Sequence, residues 1–90
     1  MKIDVYDTYA KSRTDSVIHF DVLVAQGTSR DDAFAYARQW LASIGENAEN
    51  LSQSRCTFCH SEQANPVVQD AIHREGHYIL QMEGCPHPII

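Results

Sequence analysis

VIHFDVLV, residues 17–24, is the stretch on which a prediction of the fold depends. Its apolar side chains recur at every second position, which is the period of a half-buried β-strand. They are Ile18, Phe20, Val22 and Val24. This unbroken apolar face indicates a strand that packs against a hydrophobic core.

Residues 2–9 show the same alternation. One side carries Ile3, Val5 and Tyr9, and the other carries Asp4, Tyr6 and Thr8. The polar run of residues 11–16 separates this segment from residues 17–24 and has the composition of a turn. The chain is therefore predicted to open with a β-hairpin whose apolar sides, Ile3 with Val5 and Ile18 with Phe20, face one core.

Two helices are predicted after the hairpin. Ser29 can cap the first helix, whose apolar stripe ends in WLASI before Gly45, a residue suited to a left-handed C-cap. Asn65 followed by Pro66 has the cap-then-first-turn pattern of a second helix, which stops at Gly76.

Two further strands complete the predicted fold. LSQSRCTF, residues 51–58, is the weaker candidate, and HYILQM, residues 77–82, alternates clearly. The order ββαβαβ favours one α+β domain over residues 1–90, a two-layer sandwich with about four strands in a mixed sheet and two helices on one face. Residues 85–90, which hold two prolines, are expected to form an irregular tail.

Composition limits the classes of function. A formal charge of −5, with seven Lys and Arg residues scattered along the chain, argues against a nucleic-acid partner. Residues 1–13 contain no apolar run suited to a signal peptide or membrane span, so we expect a cytoplasmic protein with no membrane partner. Sheet edges in so small a domain permit a homodimer.

RCTFCHSE, residues 55–62, carries the motif Cys-x-x-Cys-His. Covalent haem attachment fits Cys56, Cys59 and His60 locally but normally requires export, which makes it a poor interpretation. A structural zinc fits the residue types better, since Cys85 and His87 could supply the third and fourth ligands. The predicted metal set is Cys56, Cys59, Cys85 and His87, with His60 competing for the fourth position.

Two other interpretations of the cysteines stay open. A redox dithiol would use Cys56 and Cys59, with Cys85 as the resolving thiol, although the helix start at Asn65 lies too far downstream for thioredoxin-like chemistry. The simplest interpretation, which the residues favour, is that the three thiols pack as small hydrophobic groups.

The hairpin offers a second candidate site. If its polar sides face the same way, Tyr6 lies beside His19 and Asp21 and could support acid–base chemistry. The opposing interpretation is an ordinary polar outer face. Asp7 is expected on the apolar side, bonded to amides of the turn near Thr14.

Five motifs together resemble one small bacterial family, the domain-of-unknown-function family number two thousand and twenty-four. They are VYDTY, HFDV, the helix ending WLASIG, CTFCHSE and MEGC. The resemblance covers nearly the whole chain and implies a compact α+β domain without an assigned activity. From the residues themselves we expect a small non-enzymatic binding or scaffold domain, with a structural zinc at its cysteines as one option. The alternative is a thiol-redox protein or small enzyme that uses Cys56 and Cys59 or the face of Tyr6, His19 and Asp21.

Overall fold

The computed structural model describes residues 1–89, which form four strands and two helices. In chain order these are β1 (Lys2–Lys11), β2 (Val17–Ala25), α1 (Arg30–Ser43), β3 (Cys56–Gln63), α2 (Pro66–Glu75) and β4 (His77–Gln81). Two short 3-10 turns that the sequence did not predict, Ala48–Asn50 and Gln53–Arg55, separate α1 from β3. The predicted α+β class is confirmed.

The strands form one sheet in the order β3-β1-β2-β4, and every pairing is antiparallel. The predicted mixed sheet is therefore wrong. Strands β2 and β3, joined through α1, do run in the same direction, but β1 lies between them. The alternating order of strands and helices indicated crossovers, yet it carried no information on which strands become neighbours.

The register of the hairpin decides which side chains share a face. Lys11 pairs with Val17 and Ile3 pairs with Ala25, so odd-numbered residues of β1 lie opposite odd-numbered residues of β2. Because side chains alternate between faces along a strand, the even-numbered and odd-numbered residues form two separate surfaces. We call them the even face and the odd face of the hairpin.

Helix α1 covers the even face. Its buried residues Ala33, Ala37 and Leu41 pack against the apolar residues of β2. The larger cluster also includes the half-buried Trp40, whose ring lies 4.6 Å from that of Phe20 between centroids. This is the main core of the protein, and it contains the apolar side chains of VIHFDVLV from which the fold was predicted.

Helix α2 packs on the opposite, odd face. Its Val68 and Ile72 form a second cluster with Ile3, Val5 and Leu23. The prediction that both helices lie on one face is therefore wrong. The physical reason is that one end of the hairpin is apolar on both faces, and each apolar face requires its own cover.

The ends of both helices follow the predicted signals. The Ser29 side chain accepts a hydrogen bond from the amide of Asp32, and Asn65 accepts one from Val68. Gly76 ends α2 with a φ of +86°, and a Cβ atom there would collide with the Tyr36 hydroxyl. Glycine therefore suits this position because it adopts a positive φ without strain and leaves room for the Tyr36 side chain.

No regular element follows β4 within residues 82–89. The segment folds back along the hairpin, where the amide of Ile89 donates to the carbonyl of Gln81 and Gly84 lies against the backbone of Val17. Within residues 1–89, no helix has the length and apolar character needed to cross a membrane.

Candidate functional site

The structure disperses the four predicted zinc ligands. Cys56 is fully buried beneath α1, Cys85 is buried with its thiol donating to the carbonyl of His19 at 3.3 Å, and Cys59 and His87 are exposed. No three of these residues bring their ligand atoms within 4.8 Å of one another in the part of the chain that is described.

The conformation of the Cys-x-x-Cys segment explains the dispersal. A zinc knuckle requires a tight turn, whereas Cys56 and Cys59 both lie in the extended strand β3. Three residues of strand span about 10 Å, which separates the two thiols. Burial raises the pKa of the Cys56 and Cys85 thiols, so both favour the neutral form in which a thiol packs as a hydrophobic group.

The predicted grouping of Tyr6 with His19 and Asp21 is wrong. Tyr6 is 6% exposed on the even face, and its hydroxyl donates to the carbonyl of Thr28 at 3.4 Å. His19 and Asp21 lie on the odd face because odd-numbered residues pair with odd-numbered residues. Asp4 is likewise buried on the even face, accepting hydrogen bonds from the amide of Gly27 and the hydroxyl of Ser61.

The odd face instead brings Asp7, His19 and Asp21 together. Asp7 and Asp21 are direct partners across β1 and β2, and His19 Nε2 lies 2.6 Å from Asp7 Oδ1. One ligand atom of each residue lies within 4.8 Å of the others. The side chains of His19 and Asp7 are 22% and 33% exposed, so solvent reaches the group. We call these three residues the Asp–His–Asp cluster.

Two carboxylates directly opposite each other on paired strands repel when both are ionised. The pKa of Asp21 is raised to about 6, first by burial, then by its hydrogen bond with Asp7 and by the negative charge of Asp7. The charges of His19 and His60 act in the opposite direction. Asp21 therefore retains its proton to a higher pH than an ordinary aspartate, and a positive charge placed between the carboxylates would relieve the same repulsion.

Tyr9 holds the imidazole of the cluster in place. Its ring stacks on that of His19 with 4.1 Å between centroids and 6° between planes. Tyr9 is itself 38% exposed, so this stack forms one wall of the cluster on the solvent side. The imidazole is thus fixed between Asp7 on its edge and Tyr9 on its face.

A second group of polar side chains lies beside the cluster on edge strand β3. His60 Nδ1 is 3.2 Å from the Cys59 thiol, and His60 Nε2 is 2.7 Å from a carboxylate oxygen of Glu62. Cys59 occupies the bulge where the pairing between β1 and β3 shifts register. A thiol, an imidazole and a carboxylate in sequence have the order of a nucleophile, a base and an orienting acid.

The sequence contained one signal that would have located the Asp–His–Asp cluster. Leu23 breaks the alternation of β2 by adding an apolar side chain to its odd positions, as Ile3 and Val5 do in β1. Matching these residues to one another places Asp7, the predicted partner of turn amides, on the same face as His19. That interpretation requires a hairpin with two apolar faces, which the one-sided prediction did not consider.

The comparisons with known proteins agree with this fold. The family model "Domain of unknown function (DUF2024)" matches residues 1–82. The chain is similar to protein NE1680 from Nitrosomonas europaea, a structural genomics target solved by NMR, with 45% sequence identity, 94% of this chain and 99% of that chain covered, and a TM-score of 0.83. No match was found among the curated proteins. The chain belongs to the DUF2024 family, whose function is unknown.

Proposed function

We propose that this chain is a small non-enzymatic binding domain whose ligand is a divalent transition-metal cation, held by Asp7, His19 and Asp21. The observation that supports it is the convergence of two carboxylates and one imidazole within 4.8 Å on a solvent-accessible part of the sheet. A cation takes the place of the proton that Asp21 otherwise retains.

The chemistry of the three ligands favours zinc among the common ions. Imidazole nitrogen binds zinc well, and carboxylate oxygen completes the set at similar distances, whereas magnesium and calcium prefer oxygen ligands alone. Zinc, the metal expected from the cysteines, thus remains the proposed ion with different ligands. Three protein ligands leave at least one coordination position for water or a bound molecule.

Isothermal titration calorimetry on untagged, chelator-treated protein tests the proposal. Zinc chloride should bind with a stoichiometry near one per chain, and magnesium chloride should bind far more weakly. Asp21→Asn should weaken zinc binding by about tenfold or more, because it removes a charged ligand. Asp15→Asn, at an exposed turn position with a φ of 68°, is the matched control and should leave binding unchanged.

Cysteine variants complete the design. Cys59→Ser and Cys85→Ser should bind zinc as the wild type does. Zinc binding that survives Asp21→Asn but is lost in either cysteine variant would refute the Asp–His–Asp site and support the ligand set predicted from sequence. Absence of saturable zinc binding to the wild type would refute both.

A second candidate function is thiol chemistry at Cys59, favoured by the contact of its sulfur with His60. Cys56 is fully buried, so the geometry supports a single reactive thiol rather than a dithiol pair. Alkylation of Cys59 by iodoacetamide, followed by mass spectrometry near pH 7, should slow severalfold in His60→Gln if the imidazole promotes the thiolate. Equal rates in the two proteins would exclude such activation.

The homodimer expected from the sheet edges remains a separate proposal. Strand β3 is the edge that supports it, since seven of its eight residues are exposed and Phe58 is 55% exposed. Sedimentation equilibrium across a range of protein concentrations tests it, and a constant mass of one chain would exclude it.

A further inference from the structure

A cavity of about 250 Å³ lies at the turn end of the hairpin. Strand β1 pairs with β2 as far as Lys11 but with β3 only as far as Thr8, so its outer edge is open beyond that residue. The chain before β3 passes through its two 3-10 turns, and Asn50, Ser52 and Arg55 of this segment line the gap. Tyr9, Ala10 and Val17 form the apolar part of the wall.

The remaining wall is polar and positively charged. Lys11 and Arg55 line it together with Asn50 and Ser52, and no carboxylate does so. This composition is unusual for a chain with twelve acidic and seven basic residues. The local charge of the cavity is thus opposite to the net charge of the protein.

Arg55 differs from the other four arginines of the chain. The guanidinium groups of those four donate to backbone carbonyls or to carboxylates; they are Arg13, Arg30, Arg38 and Arg74. Within residues 1–89 the guanidinium of Arg55 forms no such hydrogen bond or ion pair. Lys11 pairs with Asp15 at 3.1 Å, but both side chains are well exposed, and such a pair is weak and readily exchanged.

We propose that this cavity binds a small molecule that carries an oxyanion on an apolar body. The planar fork of Arg55 fits a carboxylate or a phosphate group, which it can bind through two hydrogen bonds. Lys11 adds a second positive charge, and Asn50 and Ser52 supply hydrogen-bond donors. The Tyr9 side chain and Val17 cover the apolar body, and the volume admits a ligand the size of a substituted benzene ring.

The cavity adjoins the Asp–His–Asp cluster through Tyr9, a residue that lines the cavity and whose ring stacks on His19. The inference nevertheless does not rest on the proposed metal. It depends on Arg55 and Lys11, which are not metal ligands, and its test is carried out in the presence of EDTA.

Two-dimensional ¹⁵N–¹H NMR titration provides the test. Benzoate and phenyl phosphate are the two probes, and neutral benzamide is the control of matched shape. Either anion should cause saturable shifts at the amides of Ala10, Lys11 and Ser52, and the tighter of the two identifies the carboxylate or the phosphate as the preferred group. Benzamide should bind much more weakly, because it cannot pair with the guanidinium.

Arg55→Gln should weaken binding of the preferred anion by about tenfold or more, the effect of losing a hydrogen bond to a charged group. Arg74→Gln, which removes an equal charge from helix α2, is the matched control and should bind as the wild type does. Unsaturable shifts, equal binding of benzamide, or an Arg55→Gln variant with unchanged affinity would each overturn the proposal.

Discussion

Two halves of the odd face are built from the same two strands, yet helix α2 covers only one of them. In the covered half, Ile3 and Leu23 are 1% and 5% exposed and pack against Val68 and Ile72. In the open half, the same alternation presents Asp7, His19 and Asp21, which remain half-exposed. The change from apolar to ionisable side chains coincides with the end of the cover.

The difference separates residues that stabilise the fold from ionisable residues that remain accessible to solvent. The covered half gains free energy from burial, at about 25 cal/mol per Å² of apolar surface. The open half places two carboxylates opposite each other, an arrangement that weakens the fold when both are ionised. A feature that folding alone does not favour is a candidate for function.

The largest expected effect comes from the covered half. Leu23→Ala should lower the free energy of unfolding by roughly 2–5 kcal/mol, because it removes buried apolar contacts with α2 and leaves a cavity. Urea denaturation followed by circular dichroism measures the change. A loss below about 1 kcal/mol would show that packing of α2 on this face contributes little to stability. The covered half would then not differ from the open half in its contribution to the fold.

A smaller effect of opposite sign is expected in the open half. Because the folded pKa of Asp21, about 6, lies above its ordinary value of 3.8, the folded state binds more protons than the unfolded state between these values. Stability of the wild type should therefore fall as pH rises from about 4 to about 6 and level off above that. Asp21→Asn should abolish this decline and be more stable at pH 7 by roughly 1–2 kcal/mol.

Denaturation at pH 4.5 and at pH 7, in buffer with EDTA, measures the difference, with Asp15→Asn as the control for loss of one negative charge. If Asp21→Asn and Asp15→Asn change the free energy of unfolding equally, the effect reflects net charge alone. The claim that repulsion between Asp7 and Asp21 weakens the fold would then be refuted.

The smallest effect concerns the stack that flanks the cluster. Tyr9→Leu keeps an apolar side chain but removes the aromatic contact with His19, and it should cost roughly 0.5–1.5 kcal/mol. The His19 ring should also lose its fixed orientation, which the nuclear Overhauser contacts of its ring protons report. Unchanged ring contacts in the variant would show that Asp7 alone orients the imidazole.

Local signals in the sequence predict where the helices and strands lie, but they do not predict how these elements are arranged. Ser29, Asn65 and Gly76 act within a few residues of their own positions, so the helix ends were predictable. The faces of the hairpin depend on which residue of β1 meets which residue of β2, and a shift of one position reverses every side chain. This one-position difference separates Tyr6 from His19 and brings Asp7 into contact with His19.

The cysteines also show that a local sequence pattern does not determine how side chains are arranged in space. The spacing of Cys56 and Cys59 matches half a zinc site only if the segment between them turns, and nothing in CTFC distinguishes a turn from a strand. The structure places the pair in an edge strand, where pairing with β1 keeps the backbone extended. The residue types of the motif therefore suit zinc, but the extended conformation of β3 separates the thiols of Cys56 and Cys59.

X-ray absorption spectroscopy at the zinc edge, on protein loaded with one equivalent of zinc, tests the central claim most directly. Zinc–sulfur bonds of about 2.3 Å are distinct from zinc–nitrogen and zinc–oxygen bonds of about 2.0–2.2 Å. Binding by Asp7, His19 and Asp21 predicts a first shell of nitrogen and oxygen alone, with the outer-shell scattering of one imidazole. A sulfur shell would contradict the account and assign the metal to the cysteines.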